Sequence, residues 1–156
     1  MRDVGDAPTS WRQTATLLLC GIGFALSAHT LWVHIHPSAL ACPLTTGSID
    51  CQAVLTSPAS VVVGIPVPVF GVTFFLFMGA LCLPAAWRSR SRWVHLLRLL
   101  GVVAGIGTVL YLVGTELFAV RKLCLWCTGV HVVTFGLFVI VVTGTPALLE
   151  RAAPRR

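Results

Sequence analysis

The chain has 156 residues, 56% of them apolar and only 10% charged, with a net charge of +6 and a mean hydropathy of +0.91. A soluble domain carries roughly a quarter charged residues, and no water-soluble core of this length could bury so much apolar sequence, whereas a bilayer can solvate it. An ordinary soluble domain is excluded, and so is nucleic-acid binding as the meaning of the positive charge, which depends on where the charges fall along the apolar runs.

Four runs are long enough to cross a membrane, for which about 20 residues are needed. Residues 1–13 form a short cytoplasmic tail carrying Arg2 and Arg12. The first span, Thr14–Val33, is long for a signal-peptide core and no A-x-A-like site follows it, so it reads as retained. The loop 34–66 has neither Lys nor Arg. Within it, Cys42 and Pro43 through Gly47 read as a flexible stretch. Ser48, Asp50 and Cys51-Gln52-Ala53-Val54-Leu55 read as a cap and a short helix ended by Pro58, with Asp50 at the N-cap.

The second span, Val67–Leu83, is the shortest and is bounded by Pro66, Pro68 and Pro84. It holds Cys82 as the first span holds Cys20, and both cysteines read as small apolar fillers. The third span, Leu96–Ala119, has Arg98 near its start and Glu116 near its end, the latter read as snorkelling or pairing with Arg121 or Lys122, with proton delivery as the alternative role. Its Gly101-x-x-x-Gly105 predicts close helix packing. Cys124 and Cys127 form C-L-W-C at the opening of the fourth span, Trp126–Leu149, and residues 150–156 are a second cytoplasmic tail. The fold class is thus an all-α membrane protein, a bundle of four transmembrane helices (residues 14–149) with an outward loop bearing a short helix.

Orientation follows from Lys and Arg. Nine of the eleven lie in the termini and around the second connection, and Arg121 and Lys122 alone lie on the other side. Both termini are therefore cytoplasmic and the chain is a multi-pass plasma-membrane protein. Trp11, Trp87 and Trp93 mark the inner interface, and Trp32 and Trp126 the outer. Cys42, Cys51, Cys124 and Cys127 then face outward, into a compartment where disulfides form and persist.

A C-x-x-C alone is compatible with a redox pair, half a zinc site or a structural disulfide. Cys127, however, stands at the start of a membrane helix, where free N–H groups and the helix dipole stabilise a thiolate, the reactive form in disulfide exchange. It also stands where water meets lipid, within reach of a hydrophobic electron carrier. Two dithiols, one in a mobile loop and one at the membrane edge, suggest a relay. An all-thiolate zinc site is the metal alternative, but eight residues separate Cys42 from Cys51, unlike the usual ligand spacing; no metal site is assigned. Two structural disulfides are the other alternative, and would make the chain a non-enzymatic tetraspan scaffold.

The stretches A-C-P-L-T-T-G-S-I-D-C-Q-A-V-L-T-S (Ala41–Ser57), G-I-P-V-P-V-F-G (Gly64–Gly71), Y-L-V-G-T-E-L (Tyr111–Leu117) and C-L-W-C-T-G-V-H (Cys124–His131) occur in this order. In them the chain resembles the vitamin K epoxide reductase family in its bacterial form, over about Leu17 to Phe138. The resemblance implies a four-helix bundle enclosing a quinone, menaquinone or ubiquinone, near its outer end. It implies that Cys127 reacts with the quinone, that Cys124 is its disulfide partner, that Cys51 exchanges with Cys124, and that Cys42 exchanges with an outside protein. That protein is a separate thioredoxin-like, DsbA-like oxidase, so the chain resembles a disulfide generator, the task that the unrelated quinone-linked DsbB performs elsewhere. Where vertebrate members hold substrate oxygens with an asparagine and a tyrosine, this chain has Val67 and His131, which points to plain quinone reduction rather than epoxide reduction. Phe70 is expected to touch the quinone. His131, four residues after Cys127 and on the same helix face, is expected to bond a quinone carbonyl, tune the thiolate or simply pack. Ser57 is expected to orient the loop dithiol or a quinone oxygen, or merely to end the short helix.

Overall fold

The apolar runs become helices, and prolines stand at the starts of Val67–Leu81 and Pro84–Trp87. The computed structural model describes residues 7–36, 42 and 46–152. Helix α1 spans Ala7–Ile35, the short α2 Cys51–Leu55, α3 Val67–Leu81, the single-turn α4 Pro84–Trp87, α5 Arg92–Gly114 and α6 Leu125–Ala152. Pro84 opens α4 at the first helical position, where its missing N–H costs nothing. A 3-10 turn, Pro58–Ser60, and a hairpin of β1 (Val61–Val62) with β2 (Ile65–Pro66) lead from α2 into α3. The hairpin's two turn residues, Val63 (φ 52) and Gly64 (φ 78), both take positive φ, the twist that two-residue hairpin turns need.

Among the described residues, three helices are long and apolar enough to cross a membrane: Trp11–Ile35, Arg92–Val120 and Leu125–Thr145. Helix α3 is apolar but has only 15 residues, roughly 22 Å at 1.5 Å each, short of the ~30 Å hydrocarbon layer. It stops two residues before the expected end of the second span because Cys82 caps it and Pro84 starts a new helix. The expected four spans are thus three full-length helices and one short one. At the ends the helices outrun expectation: α1 is helical from Ala7 and α6 as far as Ala152, well into the expected tails, while residues 1–6 and 153–156 lie outside the described residues.

Helix α1 packs against α3 and α6, α5 packs against α6, and α3 meets α5 less closely. One apolar cluster, Cys20, Met78, Cys82, Val102, Leu137 and Val141, ties the four together. The expected close packing at Gly101 and Gly105 is present: a Cβ at Gly101 would lie 2.6 Å from Met78 Sδ, and one at Gly105 would lie 2.7 Å from the Phe74 ring and 3.2 Å from Thr134. Crowding of this kind costs about 1–3 kcal/mol in a packed interior. Gly105→Val should lower the thermal midpoint of the detergent-solubilised protein, and Gly107→Val, where nothing lies within 4 Å, should not.

The α3–α5 junction departs from the expected picture. Arg98 is fully buried rather than interfacial, its Nε and Nη2 donating to the Leu81 carbonyl at 3.0 and 2.6 Å. Trp87 is buried beneath it, the guanidinium 4.2 Å from the ring centroid, so it does not mark an exposed interface. Trp11 and Trp93 are exposed, as is Trp32 near the other end of α1.

Candidate functional site

The site is assembled where the loop between α1 and α3 docks on the segment between α5 and α6. Asp50 N donates to Leu123 O (3.0 Å), Leu123 N donates to Ser48 O (2.9 Å), and Lys122 Nζ reaches Gly47 O (2.6 Å). This short parallel bridge, Ile49 against Leu123, puts the residue after Asp50 beside the residue after Leu123, which are Cys51 and Cys124. Both are fully buried and belong to one cluster with Val33, Val54 and Leu55, against which Cys42 and Cys127 also pack. The short helix forms as expected: Asp50 is its N-cap, accepting from Ala53 N at 3.0 Å. His34 Nδ1 donates to the Leu55 carbonyl (2.8 Å) and so ties its far end to α1. Cys42 and Cys51 are joined by a disulfide with Cα atoms 5.9 Å apart, whereas Cys124 and Cys127 are free thiols within hydrogen-bonding reach of each other.

Local backbone geometry separates the two sulfurs of the C-x-x-C. Helix α6 begins at Leu125, so Cys124 stands at its cap position, and Cys124 Sγ accepts the Cys127 backbone N–H at 3.2 Å. Contact with the Cys127 side chain, chiefly, holds the Cys124 thiol below its ordinary value, and this backbone bond adds to the effect. The stabilisation that the sequence reading gave Cys127 from the helix start therefore falls first on Cys124. Cys127, one turn inside the helix, is instead half-buried and lines a cavity.

That cavity, about 630 Å³, lies between α1, α3, α5, α6 and the loop. Val67, Phe70, His131 and Ser57, the four residues expected at a ligand, all line it together with Cys127. Phe74 and the fully buried Phe75 extend its apolar wall. Phe70 of α3 and Tyr111 of α5 line it and are both exposed. Ser57 Oγ donates to the Val54 carbonyl at 2.8 Å, and Ser60 Oγ donates to Ser57 O, so Ser57 also ends the short helix. His131 makes no hydrogen bond among the described residues although it is buried.

Glu116 departs from the snorkelling or pairing reading. It is buried at the cavity wall, and Lys122, one of its two expected partners, is engaged with Gly47. A π-helical turn, Thr115–Val120, closed by Arg121 in the left-handed region (φ 56), swings it inward. The backbone N–H of Cys124 lies within hydrogen-bonding reach of its carboxylate.

The model of the vitamin K epoxide reductase family matches residues 14–142, a stretch that holds all six cysteines and at least the greater part of each span. The chain belongs to this family. Among curated proteins, none matches it. Family membership, the apolar helices, and the loop disulfide packed beside a free C-x-x-C make it a membrane thiol–disulfide oxidoreductase.

Ser27 is the site residue that the sequence reading missed. Its hydroxyl is buried on the cavity wall with no hydrogen-bond partner among the described residues. A serine in the middle of an apolar helix gives no hint of its facing, since both the lipid side and the protein side are apolar. The docking of the loop depends on the α2 cap, so Asp50→Ala should cost about 1 kcal/mol of stability. Removing the cap also loosens the bridge that sets Cys51 beside Cys124, and loop exchange should slow while reaction of small alkylating agents with Cys127 stays unchanged; stopped-flow thiol kinetics would check both.

Proposed function

We propose that this member of the vitamin K epoxide reductase family oxidises a separate thioredoxin-like protein outside the cytoplasm and passes the electrons to a membrane quinone. What supports this reading most is the division of labour within one C-x-x-C: Cys124 is buried against Cys51 of the loop disulfide, while Cys127 lines an apolar cavity. One pair of sulfurs thereby meets both a protein-facing donor and a lipid-facing site.

The cavity suits a quinone. Its volume lies in the range of small-molecule sites, its walls are aromatic and aliphatic, and two of its lining residues, Phe70 and Tyr111, are exposed, so that a ligand could enter past them from the bilayer. A quinone presents two carbonyl acceptors, and two donors on the wall, His131 and the Ser27 hydroxyl, lack partners among the described residues. Phe70 and Val67 would flank the ring, and Ser57 would hold the loop end of the wall. When bound, the quinone accepts two electrons and two protons.

The residues of the chain do the rest. A thiolate of the partner attacks Cys42, the Cys42–Cys51 bond breaks, and the partner's second thiol displaces Cys42 to leave the partner oxidised. Cys51 then attacks Cys124 of the inner disulfide and releases Cys127 as a thiolate; Cys42 displaces Cys124, and the loop disulfide re-forms. Cys124 and Cys127 would then carry the two electrons, with the loop pair oxidised and the inner pair reduced. Glu116, facing the cavity without an ion-pair partner among the described residues, is placed to take up a proton as Cys127 reacts. In the membrane, α3 completes a fourth crossing at residues 67–83, residues 14–149 form the spanning domain, both tails are cytoplasmic and the four cysteines face outward.

Quinol formation tests the reading. Purified protein in detergent, supplied with a reduced thioredoxin-like oxidase and either menaquinone or ubiquinone analogues, should turn over with one quinol formed per partner disulfide. A well-folded protein that forms none with any quinone or donor would leave a disulfide-stapled scaffold in its place.

A further inference from the structure

Two cysteines outside the relay also meet. Cys20 lies within α1 and Cys82 caps the C-terminal end of α3, at 4% and 0% exposure, in the same apolar cluster. Their thiols are within hydrogen-bonding reach of each other, and the Thr16 hydroxyl also reaches Cys82. One turn before Cys82, a Cβ placed at Gly79 would lie 3.8 Å from Cys20 Cβ, so the two helices touch here.

A cation sits beside them. Arg98 is fully buried, its Nη1 makes no hydrogen bond, and its other two nitrogens hold the carbonyl of Leu81, the neighbour of Cys82. Among the acidic side chains described, Asp50 and Glu116 are both placed at the opposite end of the bundle, beside the C-x-x-C. A buried cation without a counter-charge is costly, and among the described residues the group beside Arg98 that can become an anion is the Cys82 sulfur. A thiol next to a buried guanidinium, with a second thiol in contact, is the arrangement of a nucleophilic cysteine and its resolving partner.

We propose that Cys20 and Cys82 form a second redox-active dithiol, oxidised by a small membrane-permeant peroxide to a disulfide that joins α1 to α3. Burial selects the oxidant: neither a protein dithiol nor a ring as large as a quinone can reach these sulfurs, whereas hydrogen peroxide is small and uncharged. The Cys82 thiolate attacks one peroxide oxygen; an S–O bond forms, the O–O bond breaks and hydroxide leaves, to be neutralised by the proton that Cys82 released. Cys20 then attacks the sulfenic sulfur, the S–S bond forms, and the oxygen departs as water with the Cys20 proton. Two thiols are oxidised and one peroxide is reduced to two waters. The step is independent of the quinone reading, because it uses neither the cavity nor the relay cysteines.

The wild-type protein in lipid vesicles, exposed to hydrogen peroxide, alkylated, digested without reductant and analysed by mass spectrometry, decides the matter. A cross-linked peptide containing Cys20 and Cys82, two hydrogens lighter than its parts and lost on treatment with dithiothreitol, is the expected result. In Cys20→Ser, Cys82 should instead be trapped by dimedone as its sulfenic acid, at roughly tenfold or more over wild type, because nothing resolves it. Recovery of both residues as alkylated thiols from the peroxide-treated wild type would overturn the proposal. So would recovery of Cys82 as sulfinic or sulfonic acid without the cross-link.

Discussion

Cys127→Ala should abolish quinone reduction, with turnover falling by at least about three orders of magnitude, as is usual when the reacting nucleophile is removed. The loss should be the same with a thioredoxin-like partner and with a small dithiol as donor, because both routes end at Cys127. It should not come from unfolding. Cys127 is half-buried at the cavity wall, it is not part of the loop disulfide, and alanine is a better helix former at this position in α6. The thermal midpoint should therefore move by only a few degrees, consistent with a change of about 1 kcal/mol. Retained turnover in a folded Cys127→Ala protein would remove the cavity from the mechanism.

Cys51→Ala should divide the two donors. The loop disulfide is lost and with it the sulfur packed beside Cys124, so turnover driven by the protein partner should fall by about a hundredfold or more, since the intramolecular exchange step is replaced by an encounter. Turnover driven by a small, permeant dithiol should persist, because such a donor can reduce the Cys124–Cys127 disulfide itself. A purely structural disulfide predicts the opposite signature. Opening a staple of this kind removes about 2–3 kcal/mol of stability, and both donors would then lose activity together as the loop unfolds. Measuring quinol formation with each donor beside a melting curve separates the two.

Some of this architecture was legible residue by residue. Asp50 reads as a cap because an aspartate before Cys51-Gln52-Ala53-Val54-Leu55 can satisfy a free helix N–H, and it does so. Gly101 and Gly105 read as a close helix contact, and Met78 and Phe74 fill that contact. Val67, Phe70, Ser57 and His131 were expected at one ligand and line one cavity. Other features left no local trace. The partnership of Cys20 with Cys82, some sixty residues apart, the burial of Arg98 over Trp87, and the inward turn of Glu116 on a π-helical segment all depend on how one helix is rotated against another.

The amino-acid sequence by itself determined the solvent of this protein, the number and approximate ends of its apolar runs, the distribution of its positive charge, and which cysteines fall in loops. Those properties follow from local composition, since hydropathy and turn chemistry act within a few residues. Tertiary structure alone decided which faces meet. In a soluble helix the buried stripe shows itself by periodic contrast with polar residues. Here lipid replaces water, the outward face is as apolar as the inward one, and the contrast that would reveal the facing of Ser27, Cys82 or Arg98 is absent.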